Sequence, residues 1–518
     1  MHHDALIQKF FPGRNVKRIG NTAMCEVRSE EIVELCRQFR FERQLPLIII
    51  TASDDRVETG NFSIAYVFGV PTENFFIVPF IQTTKNFPSL TSVIQEASIY
   101  ERKIKTFFGL TPENHPNPRS LILHENWPEN IFPLRKDFAW NNRPPRAHGH
   151  FEFRQMLGDG IYEIPVGPVH AGIIEPGHFR FSVAGEEILM LEPRLGYSHK
   201  GSEKLFEVLP LEEKVKLSER ISGDSSFSHS LCFCQALEMF SEKKVPERAK
   251  FLRSIFAELE RIANHLGDIG AIMTDTGFNF GGAQGARLRE IAVRINESLT
   301  GSRFLRGVNA IGGVTVDIDK TTAAKLAKDL GNLHKDFYEV MTIVENSSSL
   351  LNRLKGTGIL DQKIAIDHGV RGVVGRAVGL SGDTRFDFPY AAYEVCPTTT
   401  ITETDGDVYA RFRVRVREAE SSFAIIDKLL REMPDGPIRV EFTLFAKNSI
   451  AVSLVEGWRG EIVYVVRTDK DGVISRVDVR DPSFLNWTVL GYAGLGNMVP
   501  DFPLINKSFN LSYSGNDL

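Results

Sequence analysis

Two stretches of the sequence combine residues that handle protons with residues that force tight turns. The first runs Gly167-Pro168-Val169-His170 and then Glu175-Pro176-Gly177-His178-Phe179-Arg180. An imidazole titrates near neutrality, so His170 and His178 are suited to giving a proton to a reduced oxygen, with Arg180 close by. The same residues equally make a tight turn with two solvated imidazoles, and composition alone leaves both readings open. The second stretch, residues 219–238, reads ERISGDSSFSHSLCFCQALE and is rich in hydroxyl side chains. A hydroxyl keeps its proton at neutral pH and is a poor ligand for soft metals. Cys232-Phe233-Cys234 offers thiols, but on a helix residues i and i+2 point ~200° apart, so the pair does not grip one ion.

These residues need elements to hold them. Residues 30–40 place Ile32, Val33, Leu35, Cys36 and Phe39 on one stripe, which predicts a helix. Residues 45–52, 61–70 and 73–82 read as strands of an antiparallel sheet, and residues 90–107 as a second helix beside it. The paired prolines of Asn141-Asn142-Arg143-Pro144-Pro145-Arg146 mark a stiff, exposed connection. The expected division is a small α/β module over 1–140, a linker over 141–160, and a mainly helical domain with peripheral β-sheet over 161–518, an α+β chain overall. Within the last part, strands are expected at 161–169, 178–192, 438–444, 459–467 and 472–478. Helices are expected at 203–209, 212–220, 228–240, 246–266, 284–300, 321–346 and 408–432.

Composition narrows the function. The chain has 518 residues, 42% of them hydrophobic, and a net charge of -5. That balance gives no basic footprint, so nucleic acid is not an expected partner. No apolar run reaches the ~18 to 20 residues that span a bilayer, and the first residues lack a signal-peptide core. Any membrane association would go through other subunits. The five cysteines are scattered and expected to be free, buried thiols. Phe280-Gly281-Gly282-Ala283-Gln284-Gly285 follows a helix rather than a strand, so it is no nucleotide-binding loop.

A resemblance sharpens this. Residues 100–137 carry Glu101, Arg102, Phe108, Gly109, His115, Arg119 and Pro133-Leu134-Arg135-Lys136-Asp137. They resemble the signature of the 30-kDa subunit of respiratory complex I, with Lys103 and Thr106 where that family has acids. Further on, Gly167-Pro168-Val169-His170, Leu195 to Lys204, Val245-Pro246-Glu247-Arg248-Ala249, Glu260-Arg261-Ile262-Ala263-Asn264-His265-Leu266 and Asp383-Thr384-Arg385 are similar to the 49-kDa subunit and its nickel-iron hydrogenase relatives. The whole resembles the fused 30-kDa-like and 49-kDa-like large subunits of the group 4 energy-converting hydrogenases, of the formate hydrogenlyase and hydrogenase-4 type.

The resemblance implies roles. His178 corresponds to a histidine at the head of a quinone pocket, and Asp275 to the aspartate that pairs with it. His170 and Arg180 would line the same cavity. The tyrosine that serves as second donor in the family is replaced by Gly223. The four thiolate positions of the nickel-iron centre fall on Ser222, Ser225, Ser512 and Gly515, so no metal is expected there. His229 matches the histidine of that emptied motif, and Arg385 an arginine that lies by the centre in metal-bearing relatives. Arg385 could face the cavity here, or pair with Asp383 or Asp387.

No cofactor is expected on this chain; a quinone is possible, and an iron-sulfur cluster would lie in a partner. The implied partners are a small iron-sulfur subunit of the complex I 20-kDa type, a ferredoxin-like iron-sulfur subunit and membrane proton-translocating subunits. The implied place is the cytoplasmic side of the inner membrane. Three functions follow: an oxidoreductase subunit passing electrons to a quinone or other small acceptor, a scaffold of the same complex, or an active hydrogenase.

Overall fold

The computed structural model describes residues 2–172, 174–442 and 446–518. The N-terminal part builds a five-stranded sheet from β1 (Lys17–Ile19), β2 (Thr22–Glu26), β3 (Leu47–Asp54), β4 (Phe62–Val70) and β5 (Phe75–Thr83), in the order β1-β2-β5-β4-β3. Helices α1 (Ser29–Arg37) and α2 (Ala97–Phe108) accompany it. The three expected strands pair antiparallel, β3 with β4 and β4 with β5, and the unanticipated β2 joins β5 in parallel, Ala23 against Ile77, which makes the whole sheet mixed. The helix expected from residue 90 begins at Ala97 instead. The buried Glu101 carboxylate accepts from Leu90 N (2.6 Å), Ser89 Oγ (2.6 Å) and Thr91 Oγ1 (2.8 Å), and so holds residues 89–91 in a turn.

Edge strand β3 is buried along its whole length. An edge strand leaves carbonyls unpaired unless something covers them. Here Arg371 donates to Leu47 O (3.1 Å) and Arg476 to Ala52 O (3.2 Å), both from the other half of the chain.

The second half opens with a three-stranded sheet, β6 (Ile161–Val166), β7 (His178–Ala184) and β8 (Glu187–Arg194), in the order β8-β7-β6. Five long helices follow: α3 (Ser226–Glu238), α4 (Glu247–Asp275), α5 (Asn279–Thr300), α6 (Lys320–Glu345) and α7 (Val408–Glu432). Helix α4 is the spine, with α5 and α7 packed along it. It meets α5 at Gly270 and Gly285, where a Cβ on Gly270 would lie 2.9 Å from Gly285 Cα, so only glycines permit this crossing. The residues of α7 that face inward include Arg411, Arg415, Glu418 and Ser422, a helical stripe of polar groups inside the bundle.

A second sheet, β9 (Ile450–Gly457), β10 (Gly460–Thr468) and β11 (Ile474–Arg480), stands between the two halves. Side chains alternate across a strand. Ile450, Val452, Leu454, Val463 and Val465 enter the N-terminal core, while Ala451, Val455, Ile462, Tyr464 and Val466 enter the helical one. Strand β9 was not anticipated: apolar on both faces, it lacks the alternation that marks a half-exposed strand. Of the strand expected at 438–444, residues 443–444 lie outside the described residues, and 438–442 make a single bridge, Arg439 to Gly313. The chain then runs through α8 (Pro482–Gly494), α9 (Phe502–Phe509) and α10 (Tyr513–Asp517). All five cysteines are free and buried.

Candidate functional site

The serine-rich loop enters α3, and the serines expected to correspond from the two ends of the chain meet there. Ser222 Oγ donates to Ser512 Oγ at 2.9 Å, across 290 residues of sequence. Ser512 caps α10, accepting from Gly515 N at 2.9 Å. Among them lies the side chain of Arg459, from the two-residue turn between Gly457 and Gly460 that joins β9 to β10. Its guanidinium forks onto Asp224, 2.6 Å from each oxygen, and Nη1 lies 3.4 Å from the hydroxyls of both Ser222 and Ser225. Nε donates to Asn510 O at 2.6 Å, and the group stacks 3.9 Å over the Trp458 ring. Burial alone would raise Asp224, but Arg459 beside it holds its carboxyl below the usual range.

His229 is wholly buried next to this cluster. Its Nε2 lies 3.0 Å from Asp481 Oδ2 and its Nδ1 3.1 Å from the Tyr464 hydroxyl. Asp481 also fills the space beside Gly515, where a Cβ would fall 2.7 Å from the Asp481 carboxyl carbon. One turn into α3, Glu260 accepts from Phe227 N (2.7 Å), Ser228 N (3.1 Å) and Ser228 Oγ. Burial nevertheless pushes its carboxyl up to about 7.

These residues do not fit a nickel-iron centre. Three hydroxyls and a glycine stand at the positions that the resemblance assigns to the four thiolates, a side chain at 515 would collide with Asp481, and a guanidinium already supplies the positive charge between Ser222, Ser225 and Asp224. Among the described residues no group of three or more His, Cys, Asp or Glu converges as a metal site. Cys232 is turned away to Ser453 O at 3.2 Å, its thiol pushed up to about 12 by burial.

The hairpin β6–β7 carries the other candidates. His178 is 9% exposed, its Nδ1 3.4 Å from Gly167 O, and its Nε2 is buried without a partner. Burial lowers its pKa, so the ring is neutral at pH 7. Asp275 does not pair with it. It is the last residue of α4, with its side chain exposed, and the turn at Gly167 holds the His178 ring on its other nitrogen. His170 Nε2 binds Gly177 O at 2.7 Å, and Arg180 pairs with Glu163 at 3.0 Å while lying 4.5 Å over Phe153. Both brace the hairpin. Gly223 is exposed, with open space at its Cβ position except for Arg306 Nη2 at 3.4 Å.

Arg385 pairs with Asp383 (2.7 Å) and Glu258 (3.0 Å) and makes no bond to the serine cluster. The arginine that does is Arg459, which sequence reasoning missed. The pattern Gly457-Trp458-Arg459-Gly460 between two apolar runs was the available signal, since it marks a two-residue hairpin turn. Arg385 belongs instead to a buried ionic network. Arg376 joins Glu418 (2.7 Å) to Glu456 (2.8 Å), His265 Nε2 lies 2.8 Å from Glu418, and Arg261 donates to Glu456 O (2.7 Å) and Gly457 O (3.0 Å). Against the cost of burial, Arg261 and Arg385 hold the Glu258 carboxyl down to about 2. The last two bonds of Arg261 fix the strand end from which Arg459 projects.

Comparison with known proteins agrees with this architecture. The family model described as "Respiratory-chain NADH dehydrogenase, 30 Kd subunit" matches residues 25–144, and that of the 49 Kd subunit matches residues 268–450. Formate hydrogenlyase subunit 5 of Escherichia coli is 31% identical over 528 residues, covering 100% of this chain and 93% of its own length. Hydrogenase-4 component G of the same organism is 35% identical over 91% of this chain and 83% of its own length. The C/D subunit of NADH-quinone oxidoreductase from Bacteroides fragilis is 30% identical over 77% of this chain and 78% of its own length. The chain therefore belongs to the family of oxidoreductase subunits in which a 30-kDa-type and a 49-kDa-type component of complex I are fused, the family of the hydrogenase-4 and formate hydrogenlyase large subunits.

Proposed function

We propose that this chain is the large subunit of a membrane-bound, complex I-like oxidoreductase that passes electrons to a quinone or another small acceptor without a nickel-iron centre. The observation that carries the reading is the Arg459–Asp224 pair bonded to the serines that stand at thiolate positions. A buried guanidinium and a metal dication would repel each other, and one displaces the other. The electron entry point in this proposal is a partner of the small iron-sulfur type, with a ferredoxin-like subunit behind it and proton-translocating subunits in the membrane. No helix among the described residues is long and apolar enough to cross a bilayer. In this proposal attachment goes through those partners, on the cytoplasmic side. The division at 140 and 160 into docking module, linker and large-subunit domain belongs to the same proposal.

The proton-handling group is His178: in the neutral ring Nδ1–H donates to Gly167 O, so Nε2, buried and without a partner among the described residues, is a base that takes a proton from solvent or a neighbour and passes it to the reduced acceptor. A second reading, a scaffold that completes the complex, is favoured by the exposed position of Asp275, which leaves His178 without the carboxylate expected beside it. Metal analysis of the purified complex tests the first point, and nickel in stoichiometric amount would overturn it. Replacing His178 by alanine separates the two readings. Loss of acceptor reduction with intact assembly supports the catalytic role, and unchanged turnover supports the scaffold.

A further inference from the structure

We propose that the seam between the N-terminal module and α8 is a binding site for an amphiphilic anion, a single phosphate or carboxylate carried on an apolar body. A cavity of about 360 Å³ lies there, walled by α2, the segment around residues 117–122, strand β8 and α8. That volume is in the range of small-molecule sites, which are concave, largely apolar and set with a few polar groups.

The polar end is arginine-rich. Arg102, Arg119, Arg154 and Arg194 line the cavity, against the carboxylates Glu96 and Glu192. Glu192 is taken by Arg119 at 2.6 Å and by Arg154 N at 2.9 Å. Glu96 is drawn to Arg40 at 2.9 Å, with Arg371 at 3.8 Å. Arg194 meets Glu125 at 2.6 Å, yet its Nε, on a residue only 6% exposed, has no partner. Among the described residues Arg102 donates to the carbonyls of Arg119 (2.8 Å) and Ser120 (3.2 Å) and to no carboxylate. His368 adds no charge, because burial lowers its pKa and Nδ1 binds Thr488 Oγ1 at 2.9 Å. Burial, reinforced by the neighbouring Arg119 and Arg194, brings Arg102 down to about 10, the mark of positive charge lacking a counter-ion. Apolar side chains, Ile99, Ile122, Leu191, Trp487 and Leu495, share the remaining wall with polar ones such as Ser98 and Thr488. Anion and apolar body are thus both catered for within one cavity, and Trp487 of its wall also donates to Ser512 O at 3.2 Å.

Titration calorimetry of the purified full chain with monomeric decyl phosphate tests this. Saturable one-to-one binding is expected, at least tenfold weaker for inorganic phosphate and for decanol. Arg154→Gln, on an exposed side chain, is expected to weaken it three- to tenfold. Leu495→Trp, at a position 43% exposed, is expected to abolish it by filling the apolar end. Decanol binding as tightly as decyl phosphate would overturn the arginine role, and inorganic phosphate doing so would overturn the apolar one. Binding unchanged by both substitutions, or absent from the unmodified chain, sinks the site. Adsorption to phosphatidylglycerol vesicles without binding of decyl phosphate would show a surface for bilayers in its place.

Discussion

Around Arg459, none of Ser222, Asp224, Ser225, Asp481 and Ser512 leaves a buried polar atom unpaired, whereas at the β6–β7 hairpin the imidazole of His178 has a buried nitrogen with no partner. The resemblance assigns chemistry to residues of both regions, and the structure treats the two in opposite ways. The first is closed by an internal salt bridge, which ties three distant segments together. The second holds a titratable group without the carboxylate expected beside it. A saturated cluster serves stability, and an unsaturated one is available to a ligand or a neighbouring subunit.

The comparison breaks most readily at Arg459. Arg459→Ala would leave Asp224, 36% exposed, with the Ser222 and Ser225 hydroxyls as its side-chain donors, strip Asn510 O of its donor and empty the space over the Trp458 ring, and a loss of about 3–4 kcal/mol in unfolding free energy is expected, read by urea denaturation. Arg459→Lys should recover part of it, since a lysine keeps the charge and loses the fork.

Next comes Glu260. Its folded carboxyl, at about 7, lies above the ordinary value of 4.5. Its contribution is therefore fully present below pH 4.5 and lost as pH rises through 7. The stability of the unmodified protein relative to Glu260→Gln should fall by about 3 kcal/mol across that interval and level off above it. Asp224, held low, acts with the opposite sign: its contribution is present above the unfolded value and is lost as the solution is acidified through its folded one.

A smaller effect is expected from Gly515→Cys. The new Cβ pushes on Asp481, and a destabilisation of about 1–3 kcal/mol should appear in thermal melts, with no gain of nickel on reconstitution. Smallest is Asp275→Asn, within about 0.5 kcal/mol because the side chain is exposed. A large loss there would mean that Asp275 is packed against something in the native protein and would erase the contrast between the two regions.

Much of the helical half was visible in the sequence, because its stripes are local. The stripe of residues 408–432 and the start at Pro246 are set by neighbours three or four apart, and the structure has helices at both places. The relation of Ser222 to Ser512 was accessible through resemblance alone. What filled the space between them was not, since the Arg459–Asp224 pair joins positions far apart in the chain and either residue reads singly as a surface charge. The same holds for Arg261, Arg376 and Arg385, whose partners come from four separate segments. Strand β9 was hidden for another reason, as burial on both faces erased its period.

The sheet β9–β11 has a consequence for synthesis. The core of the first 140 residues is completed by Ile450, Val452, Leu454, Val463 and Val465, together with Phe484 and Leu485. A ribosome adding ~5–20 residues per second delivers those side chains on the order of tens of seconds after the N-terminal sheet has emerged. During that interval the nascent module presents an unfinished apolar face to solvent. Transplanting the module into a relative would require that β9 and β10 travel with it.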